Sequence, residues 1–84
     1  MLRPELSNQF KRDYRLLVRR GYDIAKLDEV VALLLRRTPL ETRHRDHPLK
    51  GKWNSYRGCH IADDWVLVYK VDGNRLKLIQ AVPR

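Results

Sequence analysis

Three histidines, His44, His47 and His60, lie close together in the sequence and inside its most basic stretch. Five cations in that stretch outnumber a single carboxylate, and two more carboxylates, Asp63 and Asp64, follow directly. RNA cleavage by internal transesterification needs a base for the 2′-OH proton, an acid for the leaving 5′-oxygen and cations for the phosphorane. Imidazole, carboxylate, lysine and arginine side chains suit these tasks, and the chemistry requires no metal.

Strand geometry suggests which of these groups meet. In a strand beginning at Tyr56, alternate residues share a face, so His60 lies at its end on the face opposite to Arg57 and Cys59. Asp64 follows across a turn, and we expect it to converge with His60. For each histidine, a surface or packing role remains the alternative.

A metal site and a base-stacking surface are the other candidates in this region. His44, His47, Cys59 and His60 match no common zinc spacing, so no metal or other cofactor is predicted. Aromatic residues among cations suit single-stranded RNA. Trp53, Tyr56 and Trp65 are therefore candidates for stacking, although Trp65 fits a core position equally well. Cys59 alternates with core positions and is expected to be buried.

Composition limits the class of protein. The chain has 84 residues and a mass of 10.1 kDa, which predicts one domain spanning residues 1–84. A net charge of +8 favours a polyanionic partner, and nucleic acid is the first choice. One cysteine and the lack of a long apolar run or secretion signal favour the cytoplasm and give no reason to expect membrane binding.

The pattern of apolar residues predicts an α+β fold. Residues 2–6 read as an edge strand, because Pro4 has no backbone N–H to donate. Phe10, Tyr14, Leu17 and Val18 have helical spacing after a Ser7 cap and before Gly21. A second helix is expected from an Asp23 cap to Thr38, and the short connection predicts an antiparallel helical hairpin.

Three strands are predicted after a basic loop of about fifteen residues, a length typical of functional loops. They span residues 56–61, 65–71 and 75–82 and form an antiparallel meander in one small sheet, with Asp72-Gly73-Asn74 as a hairpin turn. The strand from Trp65 is apolar throughout, so we expect both of its faces to be covered. The helices can cover only one of them, so either the loop or a partner must cover the other.

The order of these residues resembles the YafQ branch of the RelE/ParE toxin superfamily. The resemblance covers nearly the whole chain and is carried by residues 46–53 (DHPLKGKW), 56–57 (YR), 60–61 (HI) and 64–69 (DWVLVY), with Ser7, 10–14 (FKRDY) and Gly21 before them. It implies a RelE-like fold and a type II toxin that cleaves messenger RNA on the ribosome, where it contacts 16S ribosomal RNA. It also implies a cognate antitoxin that inactivates the toxin in a hetero-oligomer.

Site residues follow from the resemblance position by position. His47, His60 and Asp64 match the catalytic set, with His60 or Asp64 as the base. Lys50, Lys52 and Arg57 fall where cations can hold the RNA backbone. With the stacking candidates Trp53 and Trp65, and with Arg84 as a further cation, they make up the expected RNA-binding residues.

The C-terminal residues depart from the family pattern, which has an arginine and a last histidine where this chain has Gln80 and Arg84. Arginine stabilises charge but does not shuttle a proton. Three readings stay open: a degenerate or truncated toxin with weakened activity, a sequence altered to permit expression, or a site in which His47 and His60 divide the acid and base roles. The alternative function is a module that binds an antitoxin or, as in the ParE branch, another protein target without cleaving RNA.

Overall fold

The computed structural model describes residues 1–83, and the prediction for Arg84 lies outside the described residues. The α+β class is confirmed: two helices pack on one five-stranded sheet. The elements in chain order are β1 (Arg3–Leu6), α1 (Asn8–Arg19), α2 (Ile24–Leu35), β2 (His47–Pro48), β3 (Arg57–Ala62), β4 (Trp65–Asp72) and β5 (Arg75–Pro83). Two short 3₁₀ turns, Thr42–His44 and Gly51–Trp53, lie on either side of β2.

The sheet order is β1-β5-β4-β3-β2. β1 lies at one edge, parallel to β5, and the other neighbouring strands are antiparallel. The three predicted strands appear with their ends shifted by about one residue. β2 was expected to be part of a loop. It consists of His47 and Pro48 only, and a pair of residues is too short for the alternating pattern by which strands are predicted.

The predicted caps are correct for α1 and partly wrong for α2. The hydroxyl oxygen of Ser7 accepts a hydrogen bond from the Phe10 amide at 2.9 Å, and Gly21 leaves α1 with a φ of 76°. Asp23 precedes α2, but its side chain makes no capping hydrogen bond. The stripe of α1 that faces the core is also narrower than predicted, because Val18 is exposed.

The helices cover one face of the sheet. The side chains that fill this interface, all of them almost fully buried, are Leu17, Leu27 and Val30 from the helices and Cys59, Leu67, Leu76, Leu78 and Ala81 from the strands. Alternate residues of the same strands point to the opposite face, which no helix covers. That sheet face is called the open face below; Val68 on it is nevertheless buried, at 7% exposure, and Leu49 of the loop lies over the neighbouring Gly58.

A β-bulge in β5 lets Leu78 and Ala81, which are three positions apart, both face the helices. Val68 pairs with Gln80 but Tyr69 pairs with Leu78, so Ile79 is the extra residue in β5. The Ser7 hydroxyl donates to the Ile79 carbonyl at 2.5 Å, and buried Asp13 accepts from the Ala81 amide at 3.1 Å. Ser7 and Asp13 thus bind the part of β5 that extends past its pairing with β1.

Candidate functional site

The strand register places His47 and His60 side by side on the open face. Paired Cα positions run across the sheet from His47 to Gly58, Val68 and Gln80. His60 lies two residues beyond Gly58 along β3, and therefore on the same face. The two imidazole centroids are 6.3 Å apart, with ring planes inclined by 33°. Residues that are distant in sequence therefore form one pair of titratable groups.

Backbone carbonyls fix the tautomer of both rings. Nδ1 of His47 lies 2.5 Å from the Arg45 carbonyl oxygen, and Nδ1 of His60 lies 3.1 Å from that of Asp63. A carbonyl oxygen can only accept, so Nδ1 carries the hydrogen in each ring. Nε2 then holds the lone pair of the neutral imidazole and the second proton of the charged one. Each ring can therefore exchange a proton through Nε2.

Asp64 lies in the turn that joins β3 to β4 and is exposed. The hydrogen bond from His60 to Asp63 attaches the imidazole to the same turn. Within residues 1–83, the Asp64 carboxylate has no ion-pair partner. The structure thus brings together the two histidines and places Asp64 in the turn to which His60 is hydrogen-bonded. The catalytic roles of all three stay predictions.

The third histidine has a structural position. His44 is 6% exposed, and its Nδ1 donates to the His60 carbonyl at 2.7 Å, which attaches the first 3₁₀ turn to β3. Cys59 is fully buried on the helix side, and burial together with the Asp46 charge raises the pKa of its thiol to about 12. Among residues 1–83, no three His, Cys, Asp or Glu side chains converge as metal ligands.

The predicted stacking residues divide into one exposed and one buried tryptophan. Trp53 is 39% exposed, and its ring meets Tyr56 edge-on at 5.3 Å. Trp65 is 3% exposed: its indole N–H donates to the Ala81 carbonyl at 3.3 Å, and its ring packs against Tyr22. The prediction that Trp65 stacks on RNA is therefore wrong, because protein atoms already cover its faces.

The predicted RNA-binding cations also differ in position. Lys50 and Lys52 are exposed on either side of Gly51, next to Trp53. Arg57 is half-buried, and its Nε donates to Asp46 Oδ1 at 3.2 Å. Its strand position lies on the face opposite to His60, where its guanidinium binds the loop through Asp46. An RNA contact of Arg57 stays a prediction.

Lys70 was missed by the sequence reasoning. It follows Val66 and Val68 at two-residue intervals along β4, which places it on the open face. Its ammonium lies 5.5 Å from the centroid of the Tyr56 ring. The two-residue period of β4 could have predicted that Lys70 lies on the open face. The run from Trp65 to Tyr69 is apolar at every position, however, so the sequence shows no alternating pattern there.

Comparison with known proteins places this geometry in a family. The family model for the bacterial toxin of type II toxin–antitoxin systems, YafQ, matches residues 2–82. The chain belongs to the YafQ toxin family. It is 39% identical over 74 residues to the mRNA interferase toxin YafQ of Escherichia coli K12, an alignment that covers 87% of this chain and 80% of that protein.

Solved structures of bacterial toxins have the same fold. A copper-bound mutant toxin from Helicobacter pylori superposes with a TM-score of 0.95 at 38% identity, covering 100% of this chain and 96% of that one. YafQ from E. coli BL21(DE3) gives 0.93 at 34% identity, with 100% and 94% covered. YafQ in the E. coli DinJ–YafQ complex gives 0.91 at 33% identity, with 99% and 93% covered.

In this YafQ-family chain, Gln80 stands where the family pattern has an arginine, and this position lies on the open face. Gln80 pairs with Val68 in the same row as His47 and is half-buried. A neutral amide therefore stands at the sheet position where the resemblance implies a cation. Arg84, the other departure, lies beyond the described residues.

Proposed function

We propose that this chain is a type II toxin that cleaves messenger RNA on the ribosome by acid–base transesterification, with His47 and His60 as the proton-transfer pair. The observation that carries the proposal is the pair itself: two imidazoles 6.3 Å apart on the face that no helix covers, each with Nδ1 bound to a carbonyl. The names of the E. coli relatives as mRNA interferases support it.

The proton transfers follow from the positions of the rings. His60, beside the turn that carries Asp64, removes the 2′-OH proton, and the oxygen attacks phosphorus. His47 protonates the 5′-oxygen as the bond from phosphorus to that oxygen breaks, leaving a 2′,3′-cyclic phosphate and a 5′-hydroxyl. Each Nε2 must reach its oxygen at about 2.6–3.2 Å, which requires the scissile phosphate to lie between the two rings.

The open face also supplies binding groups for RNA. Lys50 and Lys52 can neutralise phosphates, and Lys70 adds a cation beside the Tyr56 ring, which Trp53 also contacts. Trp53 presents an exposed indole to a base, which is worth roughly 1–3 kcal/mol for a stacked base. Because Gln80 is neutral, these lysines carry the charge stabilisation that the resemblance assigns to an arginine.

The test is cleavage of a defined message on translating ribosomes. Wild-type protein is expected to yield a 2′,3′-cyclic phosphate end, and a message with 2′-deoxyribose at the cleaved position is expected to stay intact. His60→Ala and Asp64→Ala are the matched variants. Equal product from wild type and both variants, or cleavage of the 2′-deoxy message, would reject the proposal.

A second candidate function is antitoxin binding without RNA cleavage, and Gln80 in the arginine position is the observation that favours it. Expression in a host lacking the antitoxin separates the two. A nuclease arrests growth only with His60 intact, whereas a protein-binding toxin arrests growth equally as His60→Ala. Gln80→Arg is expected to raise the cleavage rate of a weakened nuclease and to leave the rate of a non-nuclease at zero.

The proposed antitoxin site is an apolar groove of about 460 Å³ between β1, α1 and α2. Leu6, Phe10 and Val31 line it, and Lys11 and Arg15 contribute cations. An acidic amphipathic segment is complementary to this surface. Arg15→Glu is expected to weaken antitoxin binding, while Arg19→Glu, on the same helix but outside the groove, is expected to change it little.

We expect the toxin to act in the cytoplasm, where translating ribosomes are found. Neither helix within residues 1–83 has the length and apolarity to cross a membrane.

A further inference from the structure

We propose that Asp46 is a positioning residue for His47, and that Tyr69 and Arg57 hold it in place through the sheet. The inference rests on the proposed function for its effect on cleavage, but not for its effect on the imidazole. It gives a role to three polar side chains that the proton-transfer scheme does not use.

Two donors from neighbouring strands bind one oxygen of the Asp46 carboxylate. The Tyr69 hydroxyl donates to Oδ1 at 2.5 Å and Arg57 Nε donates to the same oxygen at 3.2 Å. Tyr69 is 2% exposed, and burial, followed by the bond to Asp46, raises the pKa of its phenol. Tyr69 therefore remains a donor throughout the physiological pH range.

Because Asp46 immediately precedes His47, fixing the Asp46 carboxylate also fixes the face to which the His47 side chain points. Asp46 immediately precedes β2, and successive residues of an extended segment point to opposite faces. Arg57 and Tyr69, which pair across β3 and β4, lie on the helix side of the sheet. With Asp46 fixed on that side, the next side chain, His47, must point to the open face.

The same anchor orients the carbonyl that fixes the His47 tautomer. That carbonyl belongs to Arg45, and its peptide plane lies between the α-carbons of Arg45 and Asp46. Arg45 has a φ of 46°, a left-handed conformation that is unfavourable for a non-glycine residue. The bonds from Tyr69 and Arg57 to Asp46 offset this cost and hold the peptide plane.

Gly58 completes the arrangement. It pairs with His47, and an added Cβ would lie 3.1 Å from Leu49 Cδ2 and 3.8 Å from Cε1 of His47. The missing side chain lets the loop lie directly on the sheet. The imidazole therefore has one supported position, with Asp46 behind it and Gly58 beneath it.

The decisive variant is Tyr69→Phe, which removes the hydroxyl and keeps the buried ring. Tyr14→Phe is a matched control, because it removes a tyrosine–aspartate hydrogen bond of 2.9 Å to Asp28 on the helices. Asp46→Ala and Asp46→Asn form a second pair, since asparagine keeps an acceptor oxygen and alanine does not. All four are compared with wild type for kcat, KM and the ¹⁵N shifts of His47.

We expect Tyr69→Phe and Asp46→Ala to lower kcat by roughly 10- to 100-fold with little change in KM, because misplacing a reacting group affects the chemical step. Their ¹⁵N shifts should show a mixture of His47 tautomers in place of the Nδ1–H form. Asp46→Asn should restore part of both signals, and Tyr14→Phe should match wild type.

The inference is overturned if Tyr69→Phe or Asp46→Ala leaves the His47 tautomer as in wild type, whatever happens to stability. It is also overturned if kcat falls while the ¹⁵N shifts stay unchanged. Should wild-type protein cleave no RNA, the proposed function fails, and the ¹⁵N comparison still decides whether Asp46 positions the ring.

Discussion

The two faces of the sheet are made by the same strands and differ in almost every property. On the helix side, Cys59, Leu67 and Leu78 are buried against α1 and α2 and leave little space. On the open face, the residues one position away include His60 and Val66, with Lys70 next to the buried Tyr69, and no helix covers them. The helix side buries apolar area and stabilises the fold. The open face carries polar groups, which the stable sheet holds in fixed positions.

This division implies that stability and activity can be separated by substitutions one residue apart. Apolar burial provides most of the folding free energy, at about 25 cal/mol per Å². Exposed polar groups contribute little to the folding free energy, so substitutions among them can change the chemistry of the surface with little change in stability. The predictions below test this separation.

The largest expected effect is on the open face. His47→Ala and His60→Ala should each lower the cleavage rate by roughly 10² to 10⁴-fold while changing the free energy of unfolding by no more than about 0.5 kcal/mol. Single-turnover cleavage and urea unfolding on the same samples measure both. The double variant should be far less defective than the product of the two losses, because a proton-transfer pair acts as a unit. Multiplicative losses would contradict the pairing.

On the helix side, Leu67→Ala should lower the free energy of unfolding by roughly 2–5 kcal/mol, since Leu67 is fully buried and the change leaves a cavity. Activity per folded molecule should stay near wild type. Val66→Ala, one residue away and half-buried on the other face, is the control and should cost less. Equal losses of stability would show that both faces are packed alike.

Asp13 tests a polar contact on the covered side. Asp13→Ala should cost roughly 1–3 kcal/mol, because it leaves the buried Ala81 amide without its acceptor. Asp13→Asn should cost less, as one oxygen remains to accept. Thermal unfolding monitored by circular dichroism measures both. A loss for asparagine as large as that for alanine would assign the effect to the carboxylate charge instead.

The smallest effect concerns alkaline pH. Burial raises the pKa of Cys59 to about 12, so the folded thiol stays protonated while the unfolded thiol ionises from about pH 8.5. The folded state then binds more protons, and stability falls as pH rises from that value towards 12. This contribution is about 1 kcal/mol near pH 9.5.

Urea unfolding at pH 7.5 and pH 9.5 measures this loss. In Cys59→Ala the decrease between the two pH values should be smaller than in wild type. In Tyr69→Phe it should change by only about 0.2 kcal/mol, because an unfolded phenol, with a pKa near 10, has barely begun to ionise at pH 9.5. A decrease in Cys59→Ala as large as in wild type would contradict the prediction that the buried thiol resists ionisation.

Much of the architecture was readable from local pattern. Pro4 predicted an edge strand, and Ser7 and Gly21 predicted the ends of α1, because backbone restrictions act within a few residues. Asp72-Gly73-Asn74 likewise predicted the hairpin between β4 and β5. His47 and His60 were singled out by residue type and charge density, and the resemblance to a toxin family added a reason to pair them.

Other features depended on contacts between distant residues. The two-residue strand at His47, the burial of Trp65 and the position of Lys70 on the open face each follow from strand register and bulges, which are set by pairing across the sheet. The carbonyls that fix the histidine tautomers and the bonds from Tyr69 and Arg57 to Asp46 are likewise tertiary contacts. Sequence alone determined which residues can do chemistry and which segments form strands or helices. The tertiary structure decided which of those residues meet, because a shift of one residue in a strand moves a side chain to the opposite face.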